Sequence, residues 1–250
     1  MPYVDLNGIA TYYEQSGAGE PVLLLHGGFC SIETMQAQQD QLSLSYLVHA
    51  PERPGQGRTA DRPGPMTFQG MVDDTIAYLD WAGVDSAHVI GFSDGAITGL
   101  MLALQHPSRL RSLVSISANL DPSVFGDDDD ESSGEDEGED GEDAEREAYE
   151  RLSPDGPAHA NVVLEKLVAM WKVEPQIDPA DLAKVELATL VLAGDRDSIP
   201  LLHTVDIARA IPGAQLCIVP DAGHMVIQER PAIVNEVVAA FLESVEKAGR

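Results

Sequence analysis

Four short segments carry side chains whose types and order suit nucleophilic attack on an acyl carbon. The first is Gly91-Phe92-Ser93-Asp94-Gly95, a G-x-S-x-G pattern that follows the apolar run Ala87-His88-Val89-Ile90 and leads into helix-like residues 96–104. A serine on such a strand-to-helix corner is pushed towards positive φ, and the chain can turn that tightly only between small neighbours. Gly91, Gly95 and Ala96 supply them. The corner lifts the Ser93 hydroxyl to the first turn of a helix, where free N–H groups favour developing negative charge.

The other three segments supply what a serine nucleophile needs. Apolar residues 22–25 end in His26-Gly27-Gly28-Phe29, whose glycines let backbone N–H groups face an oxyanion. The N–H groups of Gly28 and Asp94 are the expected donors, with Phe29 as a third candidate. Apolar residues 188–193 end in Gly194-Asp195-Arg196-Asp197, which offers two carboxylates at the carboxyl end of a strand. Residues 215–220 form one more apolar run, followed by Asp221-Ala222-Gly223-His224. His224 is the candidate base. His26 belongs to the oxyanion loop and reads as a structural hydrogen-bonding residue, while His49, His88, His106, His159 and His203 show no metal-ligand spacing.

Together these motifs resemble the α/β-hydrolase family along nearly the whole chain. Residues 91–98, with Gln105-His106-Pro107 at the helix end, look like the valacyclovirase-like (biphenyl hydrolase-like) serine hydrolases, which usually carry Trp where Phe92 stands. The resemblance implies an α/β fold with a doubly wound, mostly parallel sheet and a small helical lid. It also implies a Ser93-His224-Asp197 triad, because the family places its acid three residues after the glycine. Asp195 is then left to cap the turn or pair with Arg196. Such a triad needs neither metal nor organic cofactor. The activity implied is hydrolysis of small carboxylic esters, and Asp94 matches the residue that gives valacyclovirase-like enzymes their α-amino acid ester preference. The bland role for Asp94 is an acid at a helix start, favourable to the helix dipole. C–C bond hydrolases, lactonases and cofactor-free perhydrolases use the same scaffold. Dehalogenases and epoxide hydrolases usually place Asp at the elbow. A non-catalytic ligand-binding or scaffold protein is the rival from another class.

Composition bounds the partners. The 250 residues carry a formal charge of −27, with four lysines and eleven arginines, which argues against nucleic acid or an anionic membrane surface. Fourteen acidic residues against one arginine fall in residues 127–147, and the remainder of the chain is still acidic. A small-molecule substrate and a monomer or small homo-oligomer are expected. The start Met1-Pro2-Tyr3-Val4-Asp5 has no signal-like pattern, and no apolar run approaches a membrane span, so a cytoplasmic protein is expected. Cys30 and Cys217 are expected as free thiols.

The elements that must hold these groups alternate. Residues 9–14 read as an edge strand, 22–25 and 46–50 as further strands, and Phe68, Met71, Val72, Ile76 and Leu79 as one helix face ending near Gly83. Residues 111–117 follow the elbow helix as a strand. The alternation implies a parallel sheet with its ligand site at the carboxyl ends of the strands. One domain over residues 1–250 is expected, with a lid at residues 120–184. Within the lid, residues 127–147 read as an acidic, low-complexity, disordered insert. Asp129, Glu131, Ser133, Gly134 and Asp140 echo a calcium loop only vaguely, and no metal site is expected. Val163, Leu164, Leu167, Val168, Met170 and Trp171 give the lid an amphipathic helix. Phe29, Leu120, Trp171, Ile199, Leu201 and Met225, with Asp94, are the candidate substrate-binding residues.

Overall fold

The computed structural model describes residues 2–125 and 139–248. Its strands are β1 (Tyr3–Leu6), β2 (Ile9–Gly17), β3 (Pro21–Leu25), β4 (Leu47–Pro51), β5 (Ala87–Phe92), β6 (Leu110–Ile116), β7 (Thr189–Gly194) and β8 (Gln215–Val219). The α-helices are α1 (Gln36–Leu42), α2 (Phe68–Ala82), α3 (Asp94–Gln105), α4 (Glu139–Leu152), α5 (Ala160–Trp171), α6 (Leu201–Ala210), α7 (Val226–Glu229) and α8 (Pro231–Ala248).

The strands form one sheet in the order β1-β2-β4-β3-β5-β6-β7-β8. β2 runs antiparallel to β1 and β4, and the pairs from β4 through β8 are parallel. Successive side chains of a strand point to opposite faces, so each apolar run divides between two cores. Leu23, Leu25, Val89 and Leu113 pack with Phe68, Met71 and Val72 of α2 and Ile97 and Leu100 of α3. Val22, Leu24, Ile90 and Val114 pack with Leu42 of α1 and Val234, Val238, Phe241 and Leu242 of α8. Helices cover both faces, which is why the central strands read as unbroken apolar runs instead of alternating ones. α2 begins where the Thr67 side chain accepts from the Gly70 N–H at 3.0 Å and stops at Gly83, which is left-handed at φ 67°.

Two expectations are corrected. β2 is not the edge strand, because β1 lies outside it, joined through Asn7 and Gly8 at φ 52° and 83°. An Asn-Gly pair with both φ positive is the tight hairpin turn that suits twisted strands. The acidic run is not a coil through residue 147, because α4 begins at Glu139. Good helix formers, Ala144, Glu145, Arg146, Glu147 and Ala148, are followed there by an apolar anchor, Tyr149, which is 2 % exposed. The rest of the acidic insert, with Asp129, Glu131, Ser133 and Gly134 of the calcium-like pattern, lies outside the described residues.

α4 and α5 stand where the alternation stops, between β6 and β7. Tyr149 stacks on Phe29 with ring centroids 5.3 Å apart, and Arg151 pairs with Glu33 at 2.6 Å. α5 is tied down by Lys166, which donates to Asp61 at 2.5 Å and to the Arg62 carbonyl at 2.7 Å. His159, just before α5, meets the same Asp61 at 2.9 Å. Cys30 and Cys217 are both free thiols. Among the described residues no helix is long and apolar enough to cross a membrane.

Candidate active site

The corner between β5 and α3 has the geometry its residues require. Ser93 sits at φ 52°, ψ −120°, a region that side chains with a Cβ rarely occupy, and its N–H bonds the Ile116 carbonyl at 2.9 Å. Its own carbonyl accepts from Ala96 at 2.8 Å and Ile97 at 3.0 Å, which starts the helix. A Cβ on Gly95 would run into the backbone carbonyls of Leu25 and His26, and one on Gly91 into Gly95. Backbone atoms cannot swing aside as a flexible side chain does. Gly95→Ala is therefore expected to destabilise the fold by roughly 1–3 kcal/mol, at about 2–4 °C of Tm per kcal/mol. A melting curve unchanged by this substitution would contradict the close approach.

Ser93, His224 and Asp197 come together at that corner. His224 Nε2 lies 3.1 Å from Ser93 Oγ, and His224 Nδ1 lies 2.8 Å from Asp197 Oδ1. An ionised carboxylate only accepts, so Nδ1 carries the proton and Nε2 is left to accept from the serine hydroxyl. The Asp197 side chain is 1 % exposed, and its Oδ1 also accepts from the Ile199 N–H at 3.0 Å. Burial would raise this carboxyl, but the hydrogen bond and charge of His224, helped by Ser117 and the Ile199 N–H, outweigh it and hold the pKa below the usual carboxylate range. Asp195 plays a different part. Its Oδ1 accepts from Ala222 N–H at 3.1 Å, while the Ala222 carbonyl accepts from Arg196 N–H at 2.9 Å, so the acid loop and the histidine loop are stitched together. Arg196 itself pairs with Asp221, not with Asp195. Phe92 is buried beside the imidazole, its ring 5.2 Å from that of His224.

The opposite wall is the loop after β3. His26 is buried, and its Nε2 accepts from the Arg53 N–H at 3.2 Å, so Nδ1 carries the proton and donates to the Gly27 carbonyl at 2.8 Å. Burial and then the nearby Arg53 charge push its pKa well below the ordinary histidine value, which keeps the ring neutral. That agrees with a structural part for His26. Phe29 follows at φ 53°. Asp94 is the first residue of α3, at the end where backbone N–H groups have no helical acceptor. Gly28 packs directly under the Asp94 carboxylate and the Trp171 ring, which a Cβ would meet. The arrangement offers a hydroxyl and an imidazole oriented by a buried carboxylate, the side-chain parts of an acyl-transfer site.

The chain-wide comparison fits this geometry. Residues 22–237 match the model of the alpha/beta hydrolase family. The chain belongs to that family. A putative carbamate hydrolase RutD of Azorhizobium caulinodans is 37 % identical to the hydrolase over 117 residues, 47 % of this chain and 44 % of the relative. The hydrolase thus matches rather less than half the length of that curated relative. Among solved structures, a thermophilic esterase from Thermogutta terrifontis is similar with a TM-score of 0.74 and 25 % identity, covering 98 % of this chain and 97 % of the other. An N-acyl homoserine lactone degrading enzyme superposes with a TM-score of 0.78 at 23 % identity, covering 96 % and 100 %.

The candidate pocket residues of the hydrolase fall in different surroundings. Trp171, at the end of α5, donates its indole N–H to Asp94 Oδ1 at 3.0 Å, and Phe29 is held from above by Tyr149. Asp94, Gly28, Phe29 and Trp171 therefore cluster beside Ser93. Met225 follows His224 and is half-buried against the α8 side of the sheet. Leu120 and Ile199 are each 2 % exposed and leave little surface for a ligand. Leu120 belongs to the core shared with α5, and the Ile199 N–H serves Asp197. Leu201 is 42 % exposed on the first turn of α6. Sequence reasoning missed Arg53 and Tyr149. Arg53 had one signal, a charged residue two places beyond a buried strand, while Tyr149 was hidden by its acidic surroundings.

Proposed function

We propose that this alpha/beta hydrolase is a serine hydrolase that cleaves small carboxylic esters through an acyl-enzyme. The 3.1 Å and 2.8 Å links of Ser93, His224 and Asp197 carry this reading. His224 takes the Ser93 proton as Oγ attacks the acyl carbon, and the Gly28 and Asp94 N–H groups hold the tetrahedral oxyanion, each such donor contributing about 3 kcal/mol. His224 then returns the proton to the leaving alcohol. Water, activated by the same imidazole, attacks the acyl-enzyme and releases the acid.

Asp94 gives the reading its finer form, a preference for α-aminoacyl esters. Its carboxylate is 3 % exposed, Oδ1 is held by Trp171, and Oδ2 is buried without a hydrogen-bond partner. A buried carboxylate oxygen left unmatched beside the nucleophile suits a substrate ammonium. Burial raises the Asp94 pKa, against the opposing pull of Arg53, Trp171 and His224. The aminoacyl preference accordingly grows as pH rises through the Asp94 ionisation and is absent below it. The test is turnover of p-nitrophenyl acetate and butyrate beside an aminoacyl ester, a lactone and a carbamate. Asp94→Asn is expected to lower the aminoacyl-to-acyl ratio of kcat/KM by roughly tenfold or more, and an unchanged ratio would refute the finer reading. Turnover confined to the lactone or the carbamate would refute the reading as a hydrolase of small open-chain esters.

A further inference from the structure

Arg53 lies just beyond β4, is 6 % exposed, and sits beneath the loop that carries Gly28. Its Nη2 donates to the His26 carbonyl and, at 2.5 Å, to the Gly27 carbonyl, and its Nη1 lies 3.2 Å from Met71 Sδ. Its own backbone N–H holds His26 Nε2. A buried guanidinium is normally matched to a carboxylate. This one directs Nη2 to the carbonyls of one loop, where it also lies 3.1 Å from His26 Nδ1, and Nη1 to a thioether, while Nε is buried without a hydrogen-bond partner and the Asp94 charge acts through space.

The peptide joining Gly27 to Gly28 is planar and trans, so its C=O and N–H point in opposite directions. Fixing the Gly27 oxygen on Arg53 therefore turns the Gly28 N–H away from Arg53. A cation on the carbonyl oxygen also polarises that peptide and strengthens its N–H as a donor. We infer that Arg53 is the positioning residue of the oxyanion hole: its guanidinium sets the orientation and donor strength of the Gly28 N–H. This rests on the proposed acyl-transfer reading of Ser93.

The test compares Arg53→Met and Arg53→Lys with the unaltered protein in three respects: kcat and KM for p-nitrophenyl butyrate, affinity for an alkyl boronic acid, and Tm. The boronic acid forms a tetrahedral anion on Ser93, so its affinity reports the hole without turnover. Arg53→Met is expected to lower kcat and boronate affinity together by roughly 10²-fold, with KM within about threefold. Arg53→Lys, which keeps the charge and one donor, is expected to recover roughly tenfold of both. A folded Arg53→Met with boronate affinity unchanged would overturn the inference, whatever its kcat. If Arg53→Met does not fold, Arg53→Lys decides by the same pair of measurements, and failure of both to fold would assign Arg53 to the core and overturn it too. Absence of ester turnover in the unaltered protein counts against the proposed function alone, because boronate affinity still ranks the variants.

Discussion

Ser93→Ala is expected to lower kcat for p-nitrophenyl butyrate by about 10⁶-fold while leaving the fold and KM nearly as they are. The size follows from what is lost. Without Oγ there is no covalent path, and only the hole and the pocket remain to help a water molecule attack. His224→Ala is expected to cost about as much, and the double variant hardly more, because serine and base act as one unit. Stability should be spared, since alanine removes a hydroxyl bonded to one imidazole and relieves nothing of the strained corner, whose φ of 52° is fixed by the flanking glycines and the Ile116 carbonyl. Additive losses would mean that His224 does not act through Ser93. Steady-state kinetics on the two single variants and the double variant make the comparison.

The second large effect belongs to Asp197→Asn, expected at about 10⁴-fold in kcat. The amide is nearly isosteric, but its NH₂ group can face Nδ1 and select the wrong imidazole tautomer. Nε2 then carries a proton and cannot take another from Ser93. The same substitution removes a carboxylate whose folded pKa is depressed. A depressed pKa adds stability that is present above the unfolded carboxylate value and is lost as pH falls through the folded one. Asp197→Asn should therefore flatten part of the fall of Tm in acid, below the ordinary carboxylate range. Asp195→Asn provides the contrast. Asp195 serves the Ala222 N–H, a bond an amide oxygen can also accept, so its kcat should fall far less.

What could be foreseen from the chain, and what could not, follows the range of each interaction. The meeting of Ser93, Asp197 and His224 is legible in the chain because each sits in a contiguous motif at a strand's carboxyl end, where backbone geometry dictates the residue types. The strands at residues 22–25, 87–90 and 188–193 were legible because sheets covered on both faces need unbroken apolar runs. β1 was not, being four residues long, although Asn7-Gly8 marked its turn. Arg53 escaped because its partners, His26 and Gly27, lie on another strand's loop. α4 is hidden in the sequence because acidity masks it, whereas one buried aromatic, Tyr149, and a run of helix formers are enough to dock a turn of helix. Leu120 and Ile199 lie in the buried interior, since adjacency to a motif says nothing about which way a side chain faces.

Intact-mass and peptide mapping after reaction with an alkyl fluorophosphonate tests the central claim most directly, because it needs no knowledge of the substrate. One phosphonyl adduct per chain is expected, on the peptide carrying Ser93, slowed by Asp197→Asn and abolished in His224→Ala on the same time scale. A folded protein that takes up no reagent, or takes it up on another residue with Ser93 unmodified, would contradict the account.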